Sequence, residues 1–230
     1  MASLTRAAAP STAVASTMRT LRGVIFDMDG TLTVPVIDFA KMYREVLGPN
    51  HPRIVAGSPI DILHEIQEWP TDKQRVAYQV ITRHEQEAHE RLQIMPGAVG
   101  LCSFLDSRKL RRGLITRNVK ASVDLFHQRF GISEFFPALS REFTPYKPHP
   151  APFLHICKVW DASPAHVMMV GDSAKDDMVC GNRAGAITCL LDPSGKYDLD
   201  KLLPEEQPDY KVKSLQEVQD VLESYFDLRP

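Results

Sequence analysis

The sequence predicts an α/β fold: a Rossmann-like parallel sheet core with helices on both faces and an inserted small α-helical cap. Three observations carry that expectation. Short apolar, β-rich runs recur along the chain, and helical patterns alternate with them from the second run onward. Alternation of this kind argues for parallel strands, because each parallel neighbour needs a crossover. Residues 36–95 hold no convincing strand and stand apart as an insertion. The apolar fraction, 43% of 230 residues, is ordinary for a globular chain and allows a sizeable core.

Taken in order, residues 21–26 (LRGVIF) form the first strand and end at Asp27. Residues 36–95 follow as the cap. Within it, 37–47, 59–68 and 71–92 read as helices, the last with Val76, Val80, Ile81 and Ala88 as an apolar stripe among charges. Residues 48–58 are a loop punctuated by Pro and Gly. The core resumes with a helix marked by Leu101, Phe104 and Leu105, then a strand at 113–116 (GLIT). Val123, Phe126 and Phe130 mark the next helix, and 137–140 (PALS) a weaker strand. A helix marked by Phe153, Ile156, Cys157 and Trp160 leads to strands at 167–170 and 186–191. The chain closes with a short strand at 210–212 and a helix from Ser214, so 21–35 and 96–230 make the core.

Residues 1–20 differ in composition. They are rich in Ala, Ser and Thr, carry Arg6 and Arg19, and contain no acid. That composition suits a chloroplast or mitochondrial transit peptide, and equally a disordered tail. Either way, the segment is expected to stay outside the fold.

Composition also narrows the partners. A net charge of −2 gives no footprint for nucleic acid. Lys109, Arg111 and Arg112 form a tight basic cluster, read as solvated surface at a helix end. No apolar run reaches the length needed to span a bilayer. Cys102, Cys157, Cys180 and Cys189 show neither a C-x-x-C pair nor zinc spacing. Cys157 and Cys189 lie in apolar runs and read as buried thiols, which fits a reducing compartment. The sequence gives no oligomeric state.

The chemistry begins at FDMDGTLT, residues 26–33. In an open parallel sheet, ligands bind beyond the carboxyl ends of the strands, and Asp27 falls there. Asp29 lies two residues on, so an extended backbone aims both carboxylates the same way. Two carboxylates about 4 Å apart repel by roughly 4 kcal/mol at an effective dielectric near 20. A fold avoids that unless a cation or proton relieves it. Alone, D-x-D-G is equally an acidic turn after a strand. GDSAKDD, residues 171–177, adds Asp172 at the same sheet edge. On helical spacing Asp176 shares a side with Asp172, while Asp177 reads as a helix N-terminal acid and stays unassigned. Four clustered carboxylates call for a hard, oxygen-preferring cation, and Mg²⁺ fits best. Thr116, ending the second strand in LITRN, suits a phosphate oxygen together with helix N–H groups. Lys147, in the proline-flanked PYKPHP, suits phosphate as a point cation.

These four elements resemble the motifs of the haloacid dehalogenase-like (HAD) hydrolase superfamily, over residues 23–191. FDMDGTLT resembles its first motif, LITRN the second, the Lys147 loop the third and GDSAKDD the fourth. Pro96-Gly97 and the stretch PYKPHPAPF are similar to the phosphoglycolate-phosphatase-like branch, which carries a small helical cap between the first two motifs. The resemblance implies a Mg²⁺-dependent phosphatase whose partner is a small phosphorylated metabolite, in which Asp27 forms an aspartyl-phosphate and Asp29 is the general acid and base. It implies Asp27, the backbone carbonyl of Asp29 and Asp172 as metal ligands. Thr116 and Lys147 are implied at the phosphoryl group, with Asn118 as an added contact, and Asp176 bound to metal through water or orienting Lys147. Superfamily dehalogenases do not place an acid at the position of Asp29, so by this resemblance an acid there favours phosphoryl transfer. The cap is expected to exclude water during the first step, with His51 and Arg53 as candidates to touch substrate; the bland alternative for both is solvated loop.

Three rival readings remain. A phosphomutase of the same fold would pass the phosphoryl to a second hydroxyl. A signalling receiver domain also gathers Asp, Thr and Lys, but its Lys comes last and it lacks the insertion. A catalytically idle HAD-fold binding module is the third. His84 and His89 are five apart, which fails the H-E-x-x-H spacing, and both read as exposed helix residues.

Overall fold

A computed structural model describes residues 18–36, 38–57 and 60–229. The expectation of a tail or transit peptide falls on residues 1–17, outside the described residues, except at its end. Arg19 and Thr20 belong to the fold: β1 (Arg19–Leu21) pairs in parallel with β8 (Phe226–Leu228) as a separate two-stranded sheet. The expected strand at 21–26 is thus two strands. They part at Arg22, whose N–H donates to the carbonyl of His166 at 2.8 Å, and β2 then runs Gly23–Phe26.

The chain divides into two compact units, Pro35–Gln93 and the remainder. The larger unit holds a six-stranded, all-parallel sheet. Besides β2 it contains β3 (Arg111–Ile115), β4 (Ala138–Leu139), β5 (Val167–Gly171), β6 (Ile187–Leu191) and β7 (Tyr210–Val212), in the order β4-β3-β2-β5-β6-β7. Alternation along each strand feeds two cores. Val24, Phe26, Leu114, Met168 and Val170 enter one, and Ile25, Ile115, Val167 and Met169 the other.

Each unit carries its own helices, and those of the larger unit cover both faces of its sheet. In the smaller unit lie α1 (Phe39–Leu47), α2 (Pro52–Val55), α3 (Ile62–Gln67) and α4 (Thr71–Glu90). In the larger lie α5 (Ala98–Ser107), α6 (Lys120–Phe130), α7 (Ala151–Trp160), α8 (Val179–Ala184) and α9 (Leu215–Tyr225). Leu101, Leu105, Phe126, Val218 and Leu222 close the first core from α5, α6 and α9. Phe153, Ile156, Trp160 and Cys180 close the second from α7 and α8. The start of α9 is fixed by its sequence: Ser214 Oγ accepts the N–H of Glu217 at 3.2 Å, and Glu217 Oε2 accepts that of Lys213 at 2.8 Å.

Two expectations about charged residues are corrected. Arg111 and Arg112 lie in β3, and Arg112 is 6% exposed. Its guanidinium donates to both oxygens of Asp106, at 2.8 and 3.1 Å, and lies over the ring of Phe135. A bidentate partner and an aromatic face let an arginine be buried. In the smaller unit, α4 buries Ala77, Ile81, His84, Glu85 and Ala88, while Val76 points to solvent. His84 is therefore not exposed: its Nε2 lies 2.8 Å from Glu45 Oε2 of α1. The side chain of His89 lies outside the described residues. His51 and Arg53 flank the start of α2, where a loop was expected, and face Glu65 at 3.8 and 3.7 Å.

Candidate active site

Three strands of the large unit end side by side, and each hands on a polar residue. Asp27 follows β2 and continues the ladder, its N–H bonded to the carbonyl of Val170 at 2.9 Å. The chain then turns back. The N–H groups of Leu32 and Thr33 return to the carbonyl of Met28 at 2.8 and 2.9 Å, and that of Gly30 reaches the carbonyl of Thr33 at 2.8 Å. Gly30 sits at φ +80°, and a Cβ there would lie 2.6 Å from Asp172 Oδ2. Only glycine meets both demands. This turn therefore brings the first motif against the carboxylate that follows β5.

The second motif meets Asp29. Thr116 follows β3, is 2% exposed, and its Oγ1 accepts the N–H of Asn118 at 3.1 Å. The Asn118 amide donates to Asp29 Oδ2, and Thr33 Oγ1 donates to Asp29 Oδ1 at 3.3 Å. Asp29 is thus held from two sides.

Lys147 is buried between two acids. Its Nζ donates to Asp27 Oδ1 at 2.5 Å and to Asp177 Oδ1 at 2.7 Å. Asp177 Oδ2 accepts the N–H of Ser173 at 3.0 Å. This corrects the expectation for Asp176, which bonds Arg117 at 3.3 Å instead. The cause is local: residues 174–178 form a π turn, in which the N–H of Met178 returns to the carbonyl of Ser173. The wider turn carries residue 177, not 176, toward the β5 edge. A Cβ on Gly171 would lie 2.2 Å from the Asp177 carboxylate, so Gly171 leaves the room that this arrangement uses.

Carboxylate oxygens of Asp27, Asp172 and Asp177 all lie within 4.8 Å of one another. Burial, chiefly, pushes the pKa of Asp27 up to about 7; Lys147 pulls it back, and the charges of Asp172 and Asp29 push it further. Asp177 is likewise raised to about 7 by burial, with Lys147 opposing and Asp27 adding to the rise. Burial and then the charge of Asp177 raise Asp172 to about 6, against Lys196 and Lys147. For Lys147, burial works to discharge the ammonium, but Asp177 and Asp27 override it and hold its pKa well above the ordinary value. Two buried carboxylates, Asp27 and Asp177, share the buried Lys147 ammonium, and the partly exposed Asp172 beside them adds negative charge; an all-oxygen set of this kind fits a hard divalent cation such as Mg²⁺. Burial raises the thiols of Cys157 and Cys180 to about 12, which leaves both inert as nucleophiles.

Two residues at the site were missed from the sequence. Asp177 was visible as an acid, but ordinary helical spacing pointed one residue short. Lys196, whose Nζ lies 3.5 Å from Asp172 Oδ2, sits in a segment with no motif to announce it.

A family model described as haloacid dehalogenase-like hydrolase matches residues 21–185. The chain is 60% identical over 214 residues to a haloacid dehalogenase-like hydrolase domain-containing protein of Arabidopsis thaliana, covering 91% of this chain and 87% of that one. It is 25% identical over 219 residues to a phosphoglycolate phosphatase of Nitrosococcus oceani, with 86% and 95% covered. Among solved structures, the fold is similar to that of the HAD hydrolase YfnB of Bacillus subtilis bound to magnesium. There the TM-score is 0.62 at 22% identity, covering 89% of this chain and 99% of that one.

Proposed function

The chain belongs to the haloacid dehalogenase-like hydrolases, and from that premise we propose that it is a Mg²⁺-dependent phosphatase acting on a small-molecule phosphate monoester through an aspartyl-phosphate on Asp27. The observation that carries the reading is the bond from buried Lys147 to Asp27, with Asp172 and Asp177 crowded beside it. That arrangement sets a nucleophile, a cation for phosphoryl oxygens and a carboxylate cluster within one side chain's reach. The likeness to a phosphoglycolate phosphatase agrees with it.

Asp27 and Asp172, with the backbone carbonyl of Asp29, would hold Mg²⁺, which when bound would keep Asp27 ionised and offset charge on the phosphoryl group. A carboxylate oxygen of Asp27 attacks phosphorus, forming the acyl-phosphate bond as the P–O bond to the leaving group breaks. Asp29 gives its proton to the departing oxygen. It then takes a proton from the water that attacks phosphorus; the acyl-phosphate bond breaks and Asp27 is restored. Asn118 and Thr33 hold the Asp29 carboxyl for both transfers. Lys147 and the Thr116 hydroxyl stabilise charge on the equatorial oxygens, and Asp177 fixes Lys147 in place.

Sugar phosphates, phosphoglycolate and nucleoside monophosphates form the panel to screen, scored by inorganic phosphate released with Mg²⁺ and with EDTA. Release from at least one ester, lost with EDTA and reduced at least about a thousandfold by Asp27→Asn, is the expected outcome. Wild-type-like turnover in Asp27→Asn would remove the nucleophile assignment. Transfer to a second hydroxyl without phosphate release would replace the phosphatase by a phosphomutase.

A further inference from the structure

Lys147 bonds Asp27 and Asp177, but the third clustered carboxylate has a different cationic partner. Lys196 Nζ stands 3.5 Å from Asp172 Oδ2. The two lysines differ in freedom. The Lys147 side chain is 3% exposed and pinned between two acids, whereas that of Lys196 is 50% exposed. The second ammonium can swing into water; the first cannot.

The backbone of Lys196 is nonetheless fixed. Asp192, fully buried at the end of β6, accepts the N–H of Lys196 at 2.9 Å and that of Tyr197 at 3.0 Å. Lys211 Nζ neutralises the same carboxylate at 2.9 Å. The Tyr197 hydroxyl accepts the N–H of Ala174 at 3.2 Å, which ties the segment to the turn after Asp172. A buried acid, a paired lysine and a tyrosine thus deliver a mobile ammonium to one ligand of the proposed metal site. The Lys196 ammonium also lies over the Tyr197 ring, a place to rest without Asp172.

We infer that Lys196 competes with Mg²⁺ for Asp172 and thereby sets the metal affinity of the enzyme downward, so that the excess negative charge of the cluster is reduced when no metal is held. The inference rests on the metal site of the proposed function. A cation reaching Asp172 must first break the Lys196 pair, and a nearby ammonium repels it. Exposed ion pairs are weak, so removing the lysine tightens Mg²⁺ binding by about three- to fivefold.

The test is calorimetric titration of Mg²⁺, without substrate, into the full-length wild type and the Lys196→Met, Lys196→Gln and Lys196→Arg variants, with circular dichroism confirming each fold. The expected result is tighter binding in both neutral variants and wild-type affinity in Lys196→Arg. Unchanged or weaker binding in the neutral variants overturns the inference. So does equal tightening in Lys196→Arg, which removes charge as the cause, and so does a lack of binding by every protein. Phosphate release is measured apart: tightening in a protein that hydrolyses no ester upholds this inference and removes the phosphatase reading.

Discussion

Asp177 does two things with one carboxylate: Oδ1 holds Lys147, and Oδ2 holds the backbone N–H of Ser173. Its neighbour Asp176 faces Arg117. Substitution separates the two. Asp177→Asn removes the charge that fixes Lys147 and is expected to lower kcat/KM by about 10- to 100-fold, while Asp176→Ala stays within about threefold of wild type. Steady-state kinetics on whichever ester the screen identifies, with Mg²⁺ titrated for each variant, checks this; equal losses would dissolve the distinction. At this scale most of the site was legible. Asp27, Asp29, Thr116 and Asp172 stand at or just past strand ends, where a sheet edge gathers them, and Lys147 sits in a conspicuous proline-flanked loop. Asp177 and Lys196 were not, because one depends on the pitch of a single turn and the other on a buried tether, Asp192, 15 residues past the end of the last motif.

The elements show where pattern reading succeeds and where it stops. Strands buried on both faces read as continuous apolar runs, so β5 and β6 were visible to within a residue. Short runs hid more. The break at Arg22 and the pairing of β1 with β8 depend on residues more than 200 apart in the chain, which no local signal carries. The apolar stripe of α4 was misread because a buried polar residue, His84, takes a place on its inward face and bonds the exposed Glu45 of α1. The π turn at 174–178 is the element on which the site turns. It requires Gly171, since a Cβ would lie 2.2 Å from the Asp177 carboxylate. Gly171→Ala is therefore expected to cost about 1–3 kcal/mol in urea unfolding and to weaken Mg²⁺ binding, both through displacement of Asp177. Wild-type stability together with wild-type Mg²⁺ affinity would show that the turn accommodates the methyl group.

For the whole molecule, crowding three carboxylates together, two of them buried, carries a cost that depends on pH. Folding raises Asp27 and Asp177 from 3.8 to about 7 and Asp172 to about 6. Such groups bind protons more tightly in the folded chain than in the unfolded one. The stability they contribute is complete below about pH 4 and is lost as the pH rises through about 6 to 7. In EDTA the Tm is expected to fall between about pH 5 and about pH 8, and Mg²⁺ to raise it more at the higher pH, where the carboxylates are ionised. A Tm in EDTA that rises across that interval would show that the carboxylates are not held at a cost in the fold. The central claim, that residues distant in the chain meet around one divalent cation, is open to a single direct measurement. Crystals grown with Mn²⁺ as a stand-in for Mg²⁺ should give one strong anomalous peak at the β2 and β5 edge, about 2 Å from carboxylate oxygens of Asp27 and Asp172. A saturating soak with no peak there, or with the ion bound elsewhere, would contradict it.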